Sequence, residues 1–468
     1  LPFTEFAFIA ENLHHIRHGT LQVSQFLLNL VEQITTQQMK HLIFTLSLSA
    51  CILAAGSAYA QQDVVAGIPV NYDESKVGDY KATLPDALTF NNGKKVTTAK
   101  EWWRKRRPEV LKAVEENQYG KWPAKKLKVR YDVRQDLGLD GGAVRKQVTI
   151  YFSKDNEGPR ADVLIYLPKD ANGPVPLLLN LSFSPNNLTV ADPGVKPGRS
   201  WDKNTKQVRL AESNPAASKF TLDSVIKEYL KEGYGFATLC YTDFEPDFQG
   251  GISLGVRSLY LKDGQTGFAD DEWGAVSAWA WGVSNVIDYF EKDPDINAKR
   301  IALTGCSRLG KTTIWAGARD QRIAVVIPSC SGEGGAALSR RNYGETVAHL
   351  TDPTRYSYQF AANYSKHASD VTKMPMDANL VISLVAPRPL LLSTGSTDTW
   401  SDAKGEFCAA VEAGPVYELL GKDDLGTNVM PAPEKPIFNT LGFVMHDGGH
   451  GVLPQDWKYY LEFMKLYL

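Results

Sequence analysis

The chain has 468 residues, with 51 Lys+Arg against 53 Asp+Glu and a formal net charge of −2. That balance excludes the basic surface of a nucleic-acid binder and the acidic composition of a disordered tail. With 43 % hydrophobic and 10 % aromatic residues, the composition is globular and long enough for one large α/β domain or two smaller ones.

The first methionine is Met39. Met39-Lys40-His41, an apolar run over residues 42–55 and Gly56-Ser57-Ala58-Tyr59-Ala60 have the positive start, apolar centre and Ala-x-Ala end of a secretory signal peptide. The expectation is a signal peptide over 39–60, cut after Ala60, with 1–38 an upstream segment that is not part of the protein. The product would be periplasmic or secreted. An apolar run of 14 residues is too short to cross a bilayer, so no membrane span is expected. Leu48-Ser49-Ala50-Cys51 resembles a lipoprotein box, but the apolar run continues beyond Cys51, which favours ordinary cleavage. Cys240, Cys306, Cys330 and Cys408 then remain, too few in a chain this long for a disulfide framework. No Cys-x-x-Cys or His-x-x-x-His spacing suggests a metal site.

Residues 61–130 read as an N-terminal wrapping segment. Its first part is polar and weakly periodic. A helix is expected over 102–117, with Trp103, Arg107, Val110, Leu111 and Val114 on one face and residues 104–107 forming a solvated charged face. Tyr119-Gly120-Lys121-Trp122-Pro123 ends it. Residues 131–468 form the main domain. Strands are expected at 144–152, 162–167, 175–181, 235–241, 323–328, 390–394 and 437–444, with another leading into Gly305. Helices are expected at 222–231, 272–290, 404–419 and 455–467. A polar insertion over 183–215 is long enough to be functional. Short apolar strands alternating with helices mean a mostly parallel sheet covered on both faces, with its site at the strands' carboxyl ends.

Ile301-Ala302-Leu303-Thr304-Gly305-Cys306-Ser307-Arg308-Leu309-Gly310-Lys311-Thr312 passes from a β-branched run through a tight corner into a helix. This is the nucleophile elbow of an α/β-hydrolase fold, except that Leu309 holds the place of the usual glycine and Gly310 comes one residue late. A serine nucleophile needs a base and a group that orients the base, in the chain order Ser, acid, His. His349 and His367 come too early. His450, in the loop Asp447-Gly448-Gly449-His450-Gly451, is the expected base; His446 is nearer its strand and suited to packing or lining the site. Asp398 follows the 390–394 strand and is the expected acid, with Asp402 and Glu333 as alternatives. The backbone N–H of Arg308, joined by its guanidinium, would face the oxyanion. Lys311, one turn further along, strengthens a preference for an acidic substrate.

Gly305-Cys306-Ser307-Arg308-Leu309-Gly310-Lys311 resembles the Gly-Cys-Ser-Arg-x-Gly-Lys elbow of carbohydrate esterase family 15, the glucuronoyl esterases. Arg106-Arg107-Pro108-Glu109, Trp279-Ala280-Trp281-Gly282, Asp398-Thr399-Trp400 and Gly449-His450 are similar to its bacterial branch. The resemblance covers about residues 100–468. It implies hydrolysis of the ester between 4-O-methyl-glucuronate side chains of xylan and lignin alcohols, without metal or cofactor; separately, a monomer is expected. It implies that Ser307, His450 and Arg308 act as nucleophile, base and oxyanion donor. Lys311, Trp400 and Glu345 would contact the uronate. Many members carry their acid shortly after the strand that follows the elbow, where this chain has Cys330, so the resemblance also selects Asp398. Cys306 and Cys330 would end adjacent strands, as a disulfide or as packed thiols. Two rival functions remain: an acetyl (xylan) esterase or other carboxylesterase on the same triad, and an inactive carbohydrate-binding homologue.

Overall fold

Nine strands pair into one sheet in the computed structural model, which describes residues 63–154, 156–212 and 221–468. The expected signal peptide and the segment before it lie outside the described residues. Val64–Leu468 make up one unit, so residues 64–130 belong with the sheet. The strands are β1 (Arg130–Gly138), β2 (Ala143–Tyr151), β3 (Arg160–Pro168), β4 (Val175–Ser182), β5 (Gly235–Cys240), β6 (Ile296–Cys306), β7 (Val325–Ser329), β8 (Leu390–Gly395) and β9 (Leu441–His446). Their order across the sheet is β9-β8-β7-β6-β4-β5-β3-β2-β1. The pairings from β5 through β4, β6, β7 and β8 to β9 are parallel, while β1, β2 and β3 add an antiparallel wing beside β5. The wing's outermost strand, β1, was not among the expected strands. It is the sheet's edge and mostly exposed, so it carries no buried apolar run to announce it.

Successive residues of β6 serve opposite faces of the sheet. Ile301 and Leu303 pack with α3 (Ala275–Phe290), α4 (Arg308–Arg319) and α5 (Ala403–Leu419), while Ala302 packs with α2 (Asp223–Lys231) and α6 (Pro454–Tyr467). Trp279 of α3 and Trp315 of α4 are fully buried in the first of these cores. An aromatic ring of that size removes roughly 150–250 Å² from water, so these helices are fixed tightly against the sheet.

The N-terminal helix departs from its expected phase. A capping box of Thr98 and Glu101 starts it, and α1 (Arg107–Val114) is flanked by π-helical turns over Trp102–Arg106 and Glu115–Tyr119. Each wide turn rotates the side chains away from a 3.6-residue repeat. Trp102 is therefore buried and Trp103 is 37 % exposed, the reverse of an expectation that put Trp103 on the core face. Arg106 and Arg107 are also buried rather than solvated. Arg106 Nε donates to the Ala87 carbonyl at 3.0 Å, and an Arg107 guanidinium nitrogen donates to Ala318 at 2.7 Å. The first bond braces the N-terminal segment internally, and the second ties it to the main domain.

β6 ends at Cys306, and Ser307 turns the chain with φ 61° and ψ −127° before α4 begins at Arg308. Its N–H is anchored by the Ser329 carbonyl at 2.8 Å. The late glycine has a physical reason: a Cβ on Gly310 would lie 2.5 Å from the Ser329 carbonyl oxygen, whereas Leu309 points into the core. Gly310→Ala is expected to lower stability by about 1–3 kcal/mol, measured as a lower urea midpoint with an unchanged slope. A midpoint equal to the parent's would show that the corner does not depend on this contact.

Candidate active site

The carboxyl ends of the parallel strands bring the expected residues together. His450 Nδ1 lies 2.6 Å from Asp398 Oδ2. The Ser401 N–H donates to the other Asp398 oxygen at 3.2 Å, and Ser401 Oγ lies 3.1 Å from His450 Nδ1. Burial would push the Asp398 carboxyl up, but His450 and Ser401 outweigh it and hold the carboxyl below its ordinary value. Burial likewise would push the His450 imidazole down, and the bond and charge of Asp398 raise it instead. Ser307 and His450 both line one cavity of about 120 Å³. The positive end of α4 opens onto it, and the Arg308 N–H, being first in that helix, has no carbonyl four residues back within it.

Arg308, Lys311, Glu345 and Trp400 line the same cavity, joined by Arg355, Tyr356, Gln359 and Cys330. The Arg308 guanidinium pairs with Asp247 and lies 4.7 Å from the Tyr356 ring centre. Asp247 is gripped further by Tyr241, Tyr358 and Gln359, at 2.6, 2.7 and 2.7 Å. These donors and Arg308 overcome its burial and keep it ionised. Lys311 Nζ lies 3.6 Å from Glu345, whose other oxygen accepts from Arg355 at 3.1 Å. Arg355 in turn lies 5.3 Å from the Trp400 ring centre. Three cations and one carboxylate thus face the cavity, and Asp247 stands behind Arg308.

The alternative acids are engaged elsewhere. Asp402 pairs with Arg341 at 2.8 Å and caps α5 by accepting from the Gly405 N–H at 2.9 Å. Glu333 accepts from Ser339 and Tyr364 at 2.5 and 2.8 Å, and burial pushes its carboxyl up to about 8. His446 is buried with Nδ1 2.9 Å from Asp456 and Nε2 2.8 Å from the Gly449 carbonyl. Burial would lower it, but Asp456 raises it to about 9, which suits an ion pair rather than a proton acceptor. Cys306 and Cys330 are both free thiols in mutual contact.

Sequence reasoning passed over Asp247, Arg355 and Ser401. Asp247 follows β5, and its place at a carboxyl edge was the available signal. Arg355 sits in an aperiodic loop that carries none. A larger cavity of about 400 Å³, walled by Phe248, Trp273 and Tyr358, contains none of the expected residues.

Comparison with known proteins adds an independent line. A family model for fungal glucuronyl esterases matches residues 267–421. Carbohydrate esterase MZ0003, from an unknown prokaryotic organism, is 40 % identical over 401 residues, which are 84 % of this chain and 91 % of that protein. A 4-O-methyl-glucuronoyl methylesterase of Schizophyllum commune is 27 % identical over 80 % of this chain and 82 % of its own length. A solved glucuronoyl esterase from Solibacter usitatus has a TM-score of 0.79 and 43 % identity, covering 84 % of this chain and 99 % of that one.

If His450 is the group that accepts the Ser307 proton it must be neutral to do so, and turnover is then expected to fall as pH drops through its value. Asp398 raises that value above the ordinary imidazole range, which moves the acidic limb to higher pH. Asp398→Asn removes the charge that raises it. The pH–rate profile of this variant is expected to show kcat/KM lowered by about 10⁴-fold and an acidic limb moved to lower pH. Asp402→Asn and Glu333→Gln leave the limb where it is. An unmoved limb in Asp398→Asn would rule out its pairing with the base.

Proposed function

The chain belongs to carbohydrate esterase family 15, the glucuronoyl esterases, and we propose that it cleaves the ester joining 4-O-methyl-glucuronate on xylan to lignin alcohols, with Ser307, His450 and Asp398 as its triad. It is a carboxylic ester hydrolase of the α/β-hydrolase fold, and its activity is hydrolysis of glucuronate esters. The observation that carries the triad is the 2.6 Å contact of His450 with Asp398 beside the cavity that Ser307 lines.

In this reading Ser307 Oγ attacks the ester carbonyl as its proton passes to His450 Nε2. The tetrahedral oxyanion faces the Arg308 N–H and guanidinium. Its collapse forms a glucuronoyl ester on Ser307 and expels the alcohol, which takes the proton from His450. Water then repeats the sequence and releases the uronate. The carboxyl group is neutral as an ester, and negative charge builds on its oxygen in the transition state and stays on the carboxylate oxygens of the product. Fixed cations therefore favour the transition state over the bound ester. Arg308, already held by Asp247, needs little reorganisation to do this. Lys311 and Glu345 offer a donor and an acceptor to ring hydroxyls, and Trp400 offers a face for the sugar. Export through a signal peptide at 39–60, cut after Ala60, would bring the enzyme to a polymeric substrate. No helix among the described residues is long and apolar enough to cross a membrane.

Kinetics on a benzyl ester of glucuronic acid and on 4-nitrophenyl acetate decide between the uronate and acetyl readings. The uronate ester is expected to have the higher kcat/KM, and cleavage of the acetate alone would overturn the proposal. Ser307→Ala is expected to abolish turnover while binding glucuronate. Lys311→Ala should cost the uronate ester about 10–100-fold in kcat/KM, the worth of a hydrogen bond from a charged group, and leave the acetate nearly untouched.

A further inference from the structure

Cys330 reaches the acid–base pair from the end of β7. Its Sγ, a carboxylate oxygen of Asp398 and a ring nitrogen of His450 all lie within 4.8 Å of one another. A thiolate, a carboxylate and an imidazole are ligands that zinc takes at about 2.0–2.3 Å, which sets tetrahedral ligand atoms roughly 3.3–3.8 Å apart. Side-chain movements of about an ångström, opening the 2.6 Å contact of His450 Nδ1 with Asp398 and bringing Cys330 Sγ in, would set the three groups around one ion. Further donors stand next to them: Cys306 touches Cys330, Ser401 Oγ is 3.1 Å from His450 Nδ1, and the Gly451 carbonyl is 3.4 Å from Cys330 Sγ. Cys330 is only 1 % exposed but lines the cavity, and the His450 side chain is 42 % exposed, so an ion enters from the substrate side.

We propose that Cys330, Asp398 and His450 form an inhibitory binding site for a thiophilic divalent cation of the zinc and cadmium class. The site is built from the catalytic pair itself, so the inhibition rests on the triad reading above, whereas the binding does not. On binding, the Cys330 S–H bond gives its proton to solvent and the sulfur's electron pair goes to the ion. His450 gives the ion a nitrogen lone pair. If that nitrogen is Nδ1, which faces Asp398, the ring proton moves to Nε2. If it is Nε2, the lone pair is used directly. Either way the imidazole no longer has a lone pair for the Ser307 proton, and with Nδ1 as the ligand the Asp398 bond that oriented it is replaced by a bond to metal. No change of oxidation state is involved. Thiolate selects zinc and cadmium over calcium and magnesium, which take oxygen ligands.

Cobalt(II) added to the full chain reports the site directly, because a thiolate ligand gives a near-ultraviolet sulfur-to-cobalt band. The band is expected at one equivalent in the parent and in Ser307→Ala, and is expected to vanish in Cys330→Ser and Cys330→Ala. In parallel, zinc is expected to inhibit ester turnover competitively and reversibly with EDTA. Measured against each variant's own metal-free rate, the inhibition constant should rise about 100-fold in Cys330→Ser. No band in the parent, or a band that survives in both folded Cys330 variants, overturns the site. A Cys330-dependent band without zinc inhibition overturns its inhibitory role. Failure of the triad reading shows separately, as turnover retained by metal-free Ser307→Ala.

Discussion

The close crossing of two loops at the carboxyl edge of β8 and β9 governs the rest of the site. The strands run in parallel register from Leu390 beside Leu441 to Gly395 beside His446. A Cβ on Gly395 would lie 2.2 Å from the Gly449 carbonyl oxygen, so only glycine lets the histidine loop lie down on the acid's turn. The N–H groups of Ser396 and Thr397 then donate to the carbonyls of His446 and Gly448, at 3.0 and 2.9 Å. Three backbone features thus lock the loops before any catalytic side chain is considered. Asp398 and His450 inherit their 2.6 Å contact from that lock. The buried carboxylate tolerates its loss of water because both oxygens have partners, one from His450 and one from the Ser401 N–H.

The cavity's cations follow a related logic. Arg308 and Lys311 lie on the first turn of α4, where positive charge opposes the helix dipole. Each is offset by a carboxylate from a distant loop, Asp247 for Arg308 and Glu345 for Lys311. Buried pairs of this kind contribute little net stability, since desolvation consumes most of the attraction. What they contribute is position. A guanidinium held by Asp247 and stacked near Tyr356 is oriented before substrate arrives, which is the condition under which electrostatic stabilisation of an oxyanion is strongest.

The sequence made the parallel core legible because strands buried on both faces must read as short apolar runs. It made Ser307, Asp398 and His450 legible because each follows such a run at the edge where parallel sheets place their sites. Legibility failed where the physics is non-local. Trp103 and the buried Arg106 and Arg107 were misread because π-helical turns break the period on which face assignment depends. Asp247 and Arg355 come from aperiodic loops, and only folding shows that they meet Arg308 and Glu345. Asp402 and Glu333 had suitable positions along the chain, but each is already committed, to Arg341 and to Ser339 with Tyr364. Residue type could not reveal those partners.

Cys330 shows why the acid can stand on either of two strands. The chemistry requires a carboxylate oxygen at Nδ1 of the base and does not specify the strand that delivers it. β7 and β8 are parallel neighbours, and the Cys330 N–H donates to the Ser393 carbonyl at 2.7 Å, so the chain beyond each strand starts from nearly the same place. Asp398 reaches the imidazole from β8, while Cys330, with φ 42°, brings a thiol towards it from β7. The loop after Cys330 keeps this strained entry because the Ser331 hydroxyl and Gly332 N–H both donate to Glu406, at 2.9 and 2.7 Å. Burial, with the charges of Asp398 and Asp402 adding to it, pushes the Glu406 carboxyl up to about 7. A second negative charge beside Nδ1 is avoided on the β7 side, where Cys306 and burial hold the Cys330 thiol in its neutral form. One ionised carboxylate, that of Asp398, faces His450, and the geometry of the two strands does not dictate which of them delivers it.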